Sequence, residues 1–275
     1  MKTIAIQGIK GSFHEEAAIQ LFGKQIQIEP CNTFKELAEK VDDRTVETGI
    51  IAIENTISGT ILHNFELIRQ FNLCITHEVY LRIVQNLGAV KGATMKDIHE
   101  VHSHYMALNQ CRDFFEQHRQ IQLIESVDTA LSIREVAIEQ NIHKAAIGSK
   151  TAIEYYGLDL LSESIETVKQ NWTRFAIVSK QTTAQPDFNK VSICVELQHK
   201  PGSLSQVLSL LFLLGINLTK IESVPILGKP WNYRFYIDFV LSQSVSFESV
   251  IESITPHTQQ LTILGKYQTG KIIEL

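Results

Sequence analysis

Thr3-Ile4-Ala5-Ile6-Gln7-Gly8-Ile9-Lys10-Gly11-Ser12-Phe13-His14-Glu15 is the stretch whose reading decides the fold. Thr3 to Ile6 form a short apolar run suited to a buried strand, and Gly8 and Gly11 punctuate the turn after it. Ser12 stands three residues before Glu15, the spacing of a capping box, and opens a helix through Ala17, Ala18, Leu21 and Phe22. Strand, glycine turn and capped helix together begin an α/β unit. The first N–H groups of such a helix can hold an anion, or the segment can be a well-capped helix and nothing more. The glycines fit neither the dinucleotide fingerprint nor the phosphate-loop pattern, so no nucleotide site is expected.

The alternation continues outward. A strand at Ile26–Ile28, a helix from Thr33 to Val41 and a strand at Gly49–Ile53 predict a mainly parallel sheet covered by helices. Just past the last of these come Glu54-Asn55-Thr56 and Ser58-Gly59-Thr60, polar groups at the carboxyl end of a strand, where open α/β sheets bind ligands. The same residues would also serve as a polar loop before a helix. Asn72 to Ala89 reads as a long strand crossing to a second lobe. That lobe repeats the grammar: a strand around Val101, a helix His104–His118, a strand Ile121–Ile124, a helix Thr129–Glu139 and a strand Ala145–Ile147. Ser103-His104 and Asp128-Thr129 fall at strand-to-helix junctions, as Ser12 and Asn55 do. Four such junctions outline a cleft, although Ser and Asp at helix starts need no function.

Asn171-Trp172-Thr173-Arg174 leads into the apolar strand Phe175–Val178, a second crossing that returns to the first lobe. Thr173 and Arg174 are thereby expected at the cleft floor, a hydroxyl beside a guanidinium able to clamp a carboxylate.

The chain of 275 residues exceeds what one core usually serves, and its 44% hydrophobic and 20% charged content is that of a globular protein. A net charge of -5 argues against a nucleic-acid partner. Cys31, Cys74, Cys111 and Cys194 form no C-x-x-C pair, so neither a zinc site nor a disulfide framework is expected, and reduced thiols point to the cytoplasm. The apolar run at the amino terminus is too short for a signal peptide or a membrane span. His99, His102 and His104 lie close in sequence, but along a strand His102 and His104 share a face that His99 does not, and nothing completes a metal set. No G-x-S-x-G supports a serine hydrolase.

The segment Ser179–Asp187 is polar and reads as a linker. Beyond it Val191–Leu197, Ser203–Leu214, Ile216–Val224, Tyr233–Leu241, Phe247–Ile254 and Leu261–Gly265 run strand, helix, strand, strand, helix, strand, the ferredoxin-like βαββαβ order. Such a unit often pairs with a copy of itself.

Taken in order, these motifs resemble the monofunctional prephenate dehydratases, a two-lobed catalytic domain followed by an ACT regulatory domain. Gly8 with Gly11-Ser12-Phe13 and Glu15 is similar to that family's opening turn, Ile53-Glu54-Asn55-Thr56 with Gly59 to its Glu-Asn-Ser motif, and Ser103-His104 with Ala107-Leu108 to its Ser-His motif. Asp128-Thr129-Ala130 resembles its Ser-Thr-Ala motif, Ala146-Ile147-Gly148-Ser149 and Tyr156-Gly157-Leu158 match further landmarks, and Thr173-Arg174-Phe175 is its signature Thr-Arg-Phe. Pro201-Gly202-Ser203-Leu204 and Asn217-Leu218-Thr219-Lys220-Ile221-Glu222-Ser223 resemble the two effector motifs. The chain departs from the pattern at Thr56 for Ser, Tyr105-Met106 for Pro-Gln, Asp128 for Ser and Val224 for Arg.

The resemblance implies a two-lobed, periplasmic-binding-protein-like catalytic domain over residues 1–180 with crossings near 72–89 and 171–180, a linker at 181–189 and a ferredoxin-like ACT domain over 190–275. It implies conversion of prephenate to phenylpyruvate with no cofactor and no metal, feedback by L-phenylalanine, and a homodimer or homotetramer formed through both domains, without nucleic acid or membrane. Thr173 and Arg174 would be catalytic, and Ser12, Asn55, Thr56, Ser103, Thr129, Asn171 and Phe175 would bind substrate. The effector would meet Gly202, Ser203, Leu204, Asn217, Leu218, Glu222 and Ser223. Arogenate is an alternative substrate, and a non-catalytic two-lobed carboxylate or amino-acid sensor is the alternative from another class.

Overall fold

Burial of the Thr3–Ile6 run organises the first lobe. The structure, a computed structural model, describes residues 2–180, 187–242, 244–270 and 272. The linker expected at 181–189 falls mostly outside the described residues. In the first lobe β1 (Lys2–Gln7) lies between β2 (Ile26–Cys31) and β3 (Thr48–Asn55), parallel to both, with α1 (Phe13–Phe22) and α2 (Phe34–Asp42) as crossover helices. A short β4 (Gly59–Thr60) folds back on β3, and α3 (Leu62–Gln70) leads to β5 (Cys74–Arg82).

The long crossing expected from Asn72 to Ala89 is two strands. β5 stays in the first lobe, and β6 (Asn86–Ala89) belongs to a second sheet with β7 (Glu100–His104), β8 (Gln122–Ser126), β9 (Lys144–Gly148) and β10 (Asp159–Ser162), ordered β10-β6-β9-β7-β8. Its helices are α4 (Tyr105–Gln110), α5 (Arg112–Glu116), α6 (Thr129–Glu139) and α7 (Lys150–Tyr155). The single helix expected over His104–His118 breaks at Cys111, because the Gln110 carbonyl, which would accept from the next turn, accepts instead from the Thr167 amide at 2.8 Å.

The chain returns as β11 (Trp172–Ser179), inserted between β3 and β5 and antiparallel to both. A mainly parallel sheet was expected; the sheet is mixed because β5 leaves for the second lobe at the cleft end and β11 re-enters from that same end, so it must run the opposite way.

The C-terminal unit consists of β12 (Lys190–Glu196), α8 (Ser203–Leu213), β13 (Asn217–Pro225), β14 (Tyr233–Val240), α9 (Phe247–Ile254) and β15 (Gln260–Tyr267) in the order β13-β14-β12-β15. This is the ferredoxin-like arrangement. Helices α8 and α9 cover one sheet face through Val191, Ile193, Val207, Ile237, Phe239 and Val250. The other face, with Cys194, Tyr236, Leu264 and Tyr267, shares a core with Phe65, Ile68, Leu73 and Ile75 of the first lobe. The two sheets join at a parallel bridge, Gly265 to Ile75, and Ile272 makes a further isolated parallel bridge to Tyr80 on β5. Any Cβ at Gly265 would overlap the Ile75 carbonyl, so the join requires glycine.

Candidate active site between the lobes

The lobes enclose a cavity of about 700 Å³, and its walls are built by helix starts and strand ends. Ser12, Phe13 and His14 come from the start of α1, Asn55 and Ser58 from the end of β3, Thr173 and Phe175 from β11, and Asp128 and Thr129 from the start of α6. Gln85 on the first crossing and His104, Met106, Ala107 and Gln110 at α4 complete the floor. The lobes touch along one rim. The Ser149 hydroxyl donates to the Gly11 carbonyl at 2.7 Å and that of Tyr156 to the Lys10 carbonyl at 3.1 Å. A Cβ at Gly11 would sit 2.7 Å from the Ala152 Cα, which a left-handed glycine (φ +86°) avoids.

Ser12 caps α1 by accepting from the Glu15 amide at 3.3 Å, and the Glu15 carboxylate accepts from the Gly11 amide at 2.5 Å. This reciprocal cap fixes the glycine turn and leaves the first amides of α1 directed at the cavity, a favourable end for an anion. Lys35 lines the cavity as well, its side chain largely exposed and its ammonium 3.6 Å from Glu39. His14 lies edge-on to Phe175, with ring centroids 5.0 Å apart, and beside Phe34. Burial pushes its pKa down to about 4, so the ring is neutral at pH 7.

Thr173 lies at the floor, 8% exposed. Its Oγ1 accepts from Asn55 Nδ2 at 2.9 Å. The Asn55 amide cannot turn over, because its Oδ1 accepts from the Ile57 and Ser58 amides and the Ser58 hydroxyl, each at 2.9 Å. Nδ2 also donates to Asn171 Oδ1 at 2.7 Å and lies 3.2 Å from the Trp172 carbonyl. With Thr173 serving Asn55 as acceptor, its own proton is left for whatever occupies the cavity.

Arg174 is a correction to the sequence reading. Side chains alternate along β11, so Thr173 and Phe175 face the cavity and Arg174 faces the C-terminal unit. Its guanidinium, 4% exposed, donates to Glu78 at 2.7 Å, to Asp238 at 2.6 Å, to the Tyr267 hydroxyl at 2.9 Å and to Glu54 at 3.4 Å. Burial opposes its charge, but Asp238, Tyr267 and Glu78 outweigh burial and hold it firmly protonated. No carboxylate in the cavity can reach it.

Three other expected binders also lie outside the lining. The Thr56 hydroxyl accepts from the Trp172 amide at 2.9 Å and donates to the Gln170 carbonyl at 3.2 Å. The fully buried Ser103 hydroxyl donates to the Ile147 carbonyl at 2.8 Å, and Asn171 is buried behind Asn55. Thr56 and Ser103 hold backbone, and Asn171 holds the side chains of Asn55 and Gln110, rather than facing a ligand. Ser12, Asn55, Thr129, Thr173 and Phe175 are brought together as expected.

His14, Gln85 and Gln110 were missed. Gln110 had a signal, since His104, Ala107 and Gln110 recur every three residues on one helix face. His102 meets Glu100 at 3.1 Å, and the His99 ring stacks on His143 with centroids 4.6 Å apart. Among the described residues no group of His, Cys, Asp and Glu could hold a metal.

A smaller cavity of about 380 Å³ in the C-terminal unit is lined by Leu197–Pro201, Ser203, Leu204, Tyr233 and Phe235. Of the expected effector residues, Ser203 and Leu204 line it and Gly202 shapes its turn with φ +82°. Asn217, Leu218, Glu222 and Ser223 do not; they lie on β13 at the sheet edge, where Glu222 accepts from Thr60 at 3.1 Å.

The family model for prephenate dehydratase matches residues 4–183. A prephenate dehydratase of Methanocaldococcus jannaschii is 35% identical over 266 residues, covering 94% of this chain and 95% of its own. Among solved structures, prephenate dehydratase from Arthrobacter aurescens in complex with L-Phe superposes with a TM-score of 0.88 at 26% identity, over 97% of this chain and 89% of the other. A protein described as GqqA, a novel type of quorum quenching acylases, superposes at 0.89 with 25% identity, over 98% of both chains. With a family model spanning both lobes and a relative similar along nearly the whole length, the chain belongs to the prephenate dehydratase family.

Proposed function

We propose that the cavity converts prephenate to phenylpyruvate, a lyase reaction of phenylalanine biosynthesis, with Thr173 as the donor to the departing hydroxyl. The carrying observation is the fixed Asn55–Thr173 pair, which leaves the threonine proton facing the cavity. The bond between ring and carboxylate breaks and releases CO2. Its electron pair shifts through the ring as the aromatic system forms and expels the hydroxyl opposite as hydroxide, which takes up one proton from solvent to become water. Thr173 is a weak acid, so its contribution is a preorganised hydrogen bond that strengthens as charge grows on the leaving oxygen. With Arg174 turned away, the carboxylates fall to the amides at the start of α1 and to Lys35. Phe175, Phe13 and Ala52 give the ring an apolar wall.

A second substrate reading, arogenate, has one observation in its favour. Asp128 lines the cavity and caps α6 by accepting from the Leu131 amide at 3.0 Å. Its charge offsets the positive helix end, opposes a second carboxylate and suits the ammonium that arogenate carries. Hydrolysis of an acyl amide has no comparable support, since among the described residues no cavity hydroxyl is hydrogen-bonded to a histidine.

The C-terminal unit acts on this reading as an ACT domain, following a catalytic domain over 1–180 and a linker over 181–189. It would bind L-phenylalanine at the cavity beside Ser203 and Leu204, and a second copy of the chain across β13 would bring Asn217 and Ser223 to it. Four free cysteines fit a reducing cytoplasm. Among the described residues, no helix is long and apolar enough to cross a membrane. The test is ultraviolet detection of phenylpyruvate from prephenate, run in parallel with phenylalanine formation from arogenate. Turnover of neither substrate sinks the reading and leaves a solute sensor in its place.

A further inference from the structure

Strand β14 has two faces with two different neighbours. Tyr233 and Phe235 line the C-terminal cavity, whereas Arg234, Tyr236 and Asp238, alternating with them, point to the first lobe. All three are buried, and each holds a side chain there. The Tyr236 hydroxyl donates to Glu66 on α3, Asp238 accepts from Arg174 on β11 at 2.6 Å, and Arg234 Nη1 donates to the two Glu66 oxygens at 3.1 and 3.3 Å. Arg234 also divides its donors. Its Nε and Nη2 go to Glu196 at 3.0 and 2.7 Å, and Glu196 ends β12 directly before Leu197, which lines the same C-terminal cavity. On the other side, α3 is fastened to the cleft. Asn64 Nδ2 donates to the Ala52 carbonyl at 2.7 Å, and Ala52, Ile61 and His63 all line the cavity between the lobes. Glu66 itself lines neither cavity.

We propose that Arg234 and Glu66 transmit occupancy of the C-terminal cavity to the cleft, on the reading that this cavity takes L-phenylalanine. A guanidinium shared by two carboxylates has two arrangements, one with Nη1 on Glu66 and one drawn wholly to Glu196. A ligand pressing on Tyr233, Phe235 and Leu197 reorients β14 against α3 and so favours one of them. Glu66 then shifts with its helix, and Ile61 and His63, at the start of α3, carry the change into the wall of the cleft. Arg69 contacts the same carboxylate at 2.9 Å but belongs to α3 itself, so it steadies Glu66 without joining the two units.

The link can be cut without touching either cavity. Glu66→Met removes the acceptor and leaves Arg234 its Glu196 partner, whereas Arg69→Met leaves the pair of Arg234 and Glu66 in place. In the full-length protein, turnover of prephenate, or of arogenate where that is the substrate, is measured with and without L-phenylalanine. Calorimetry follows binding of L-phenylalanine, and thermal melting checks folding. In the unaltered protein and in Arg69→Met, L-phenylalanine is expected to lower kcat/KM about fivefold or more, the lower end of ordinary coupling between sites. In Glu66→Met that effect is expected to fall below about twofold while L-phenylalanine still binds, with Kd within about tenfold and uninhibited kcat within about threefold. A folded Glu66→Met inhibited as strongly as the unaltered protein overturns the link, and so does loss of the response in Arg69→Met or loss of L-phenylalanine binding in Glu66→Met. If Glu66→Met does not fold, hydrogen exchange in the unaltered protein decides: L-phenylalanine must change protection along α3, and an unchanged α3 overturns the link. Absence of L-phenylalanine binding to the unaltered protein removes the reading of the cavity and the link with it. Binding there without effect on turnover removes the link alone.

Discussion

Thr173 and His14 show how little of a residue's role lies in its chemistry and how much in its setting. A threonine hydroxyl is a poor acid, but one whose oxygen already accepts from Asn55 has a single use for its proton. Thr173→Ala should therefore lower kcat by about 10²–10³-fold, the scale of a lost transition-state donor, with a small change in KM, measured in steady state. Near-wild-type turnover would remove Thr173 from the chemistry. His14 is governed by burial. Its folded pKa of about 4 lies below the unfolded value of 6.5, so the unfolded chain takes up a proton first as pH falls. Stability from this source is whole above pH 6.5 and declines toward pH 4, by on the order of 3 kcal/mol in all. His14→Phe should flatten that part of the urea-unfolding profile against pH, and an unchanged slope would place the acid sensitivity elsewhere.

At the scale of elements, β11 carries two sites on opposite faces. Its cavity face holds Thr173 and Phe175, and its other face sends Arg174 into a sealed cluster with Glu78, Asp238, Lys190 and Tyr267. Glu78, fully buried as a side chain, accepts from Arg174, from Lys190 at 2.9 Å and from the Gly270 amide at 2.9 Å. Glu78→Gln would leave two buried cations short of a countercharge and should lower stability by about 3–5 kcal/mol in denaturant unfolding. A loss under 1 kcal/mol would mean that water reaches the cluster. What the sequence could disclose follows from this distinction. Capping is local chemistry, so the turn at Gly11-Ser12-Glu15 and both ends of α6 were legible. The break at Cys111 was not, because the competing donor, Thr167, lies far along the chain. The facing of Arg174 was legible in principle, since period-two alternation assigns Thr173 and Arg174 to opposite sides. Its partners were not, for Glu78, Asp238 and Tyr267 meet only when three separate strands assemble. Thr56 and Ser103 share a lesson: a polar side chain at a strand mouth can be consumed by backbone before any ligand arrives.

Over the whole molecule, catalytic lobe and C-terminal unit are one continuous sheet and one shared core rather than two bodies on a tether. The join is narrow. The bridge at Gly265 brings β15 against β5, a second joins Ile272 to Tyr80, and the packing of Phe65 on Tyr236, with ring centroids 5.3 Å apart, supports the join from one side. Gly265→Val should force the strands apart and lower stability by about 1–3 kcal/mol, with hydrogen exchange rising first at β5 and β15. Faster exchange confined to the far lobe would show that the join is not where the strain falls. Such a join also makes the C-terminal cavity and the cleft near neighbours in mechanical terms, since Tyr233 and Phe235 line that cavity while Arg234, between them, reaches Glu66 on α3 at 3.1 Å.

The alternation along β11 has a further consequence, for how this segment can change over generations. Substitutions there fall into two sets answering to different surroundings, one tested by the substrate and one by the carboxylates behind the strand. A change of length satisfies neither. Removing Phe175, with the rest of the strand held in register, would turn the Arg174 guanidinium into the cavity and leave the Thr173 hydroxyl among Glu78, Asp238 and Lys190. The segment is therefore free to drift in identity at tolerant positions but not in residue count, and its spacing should outlast much of its spelling.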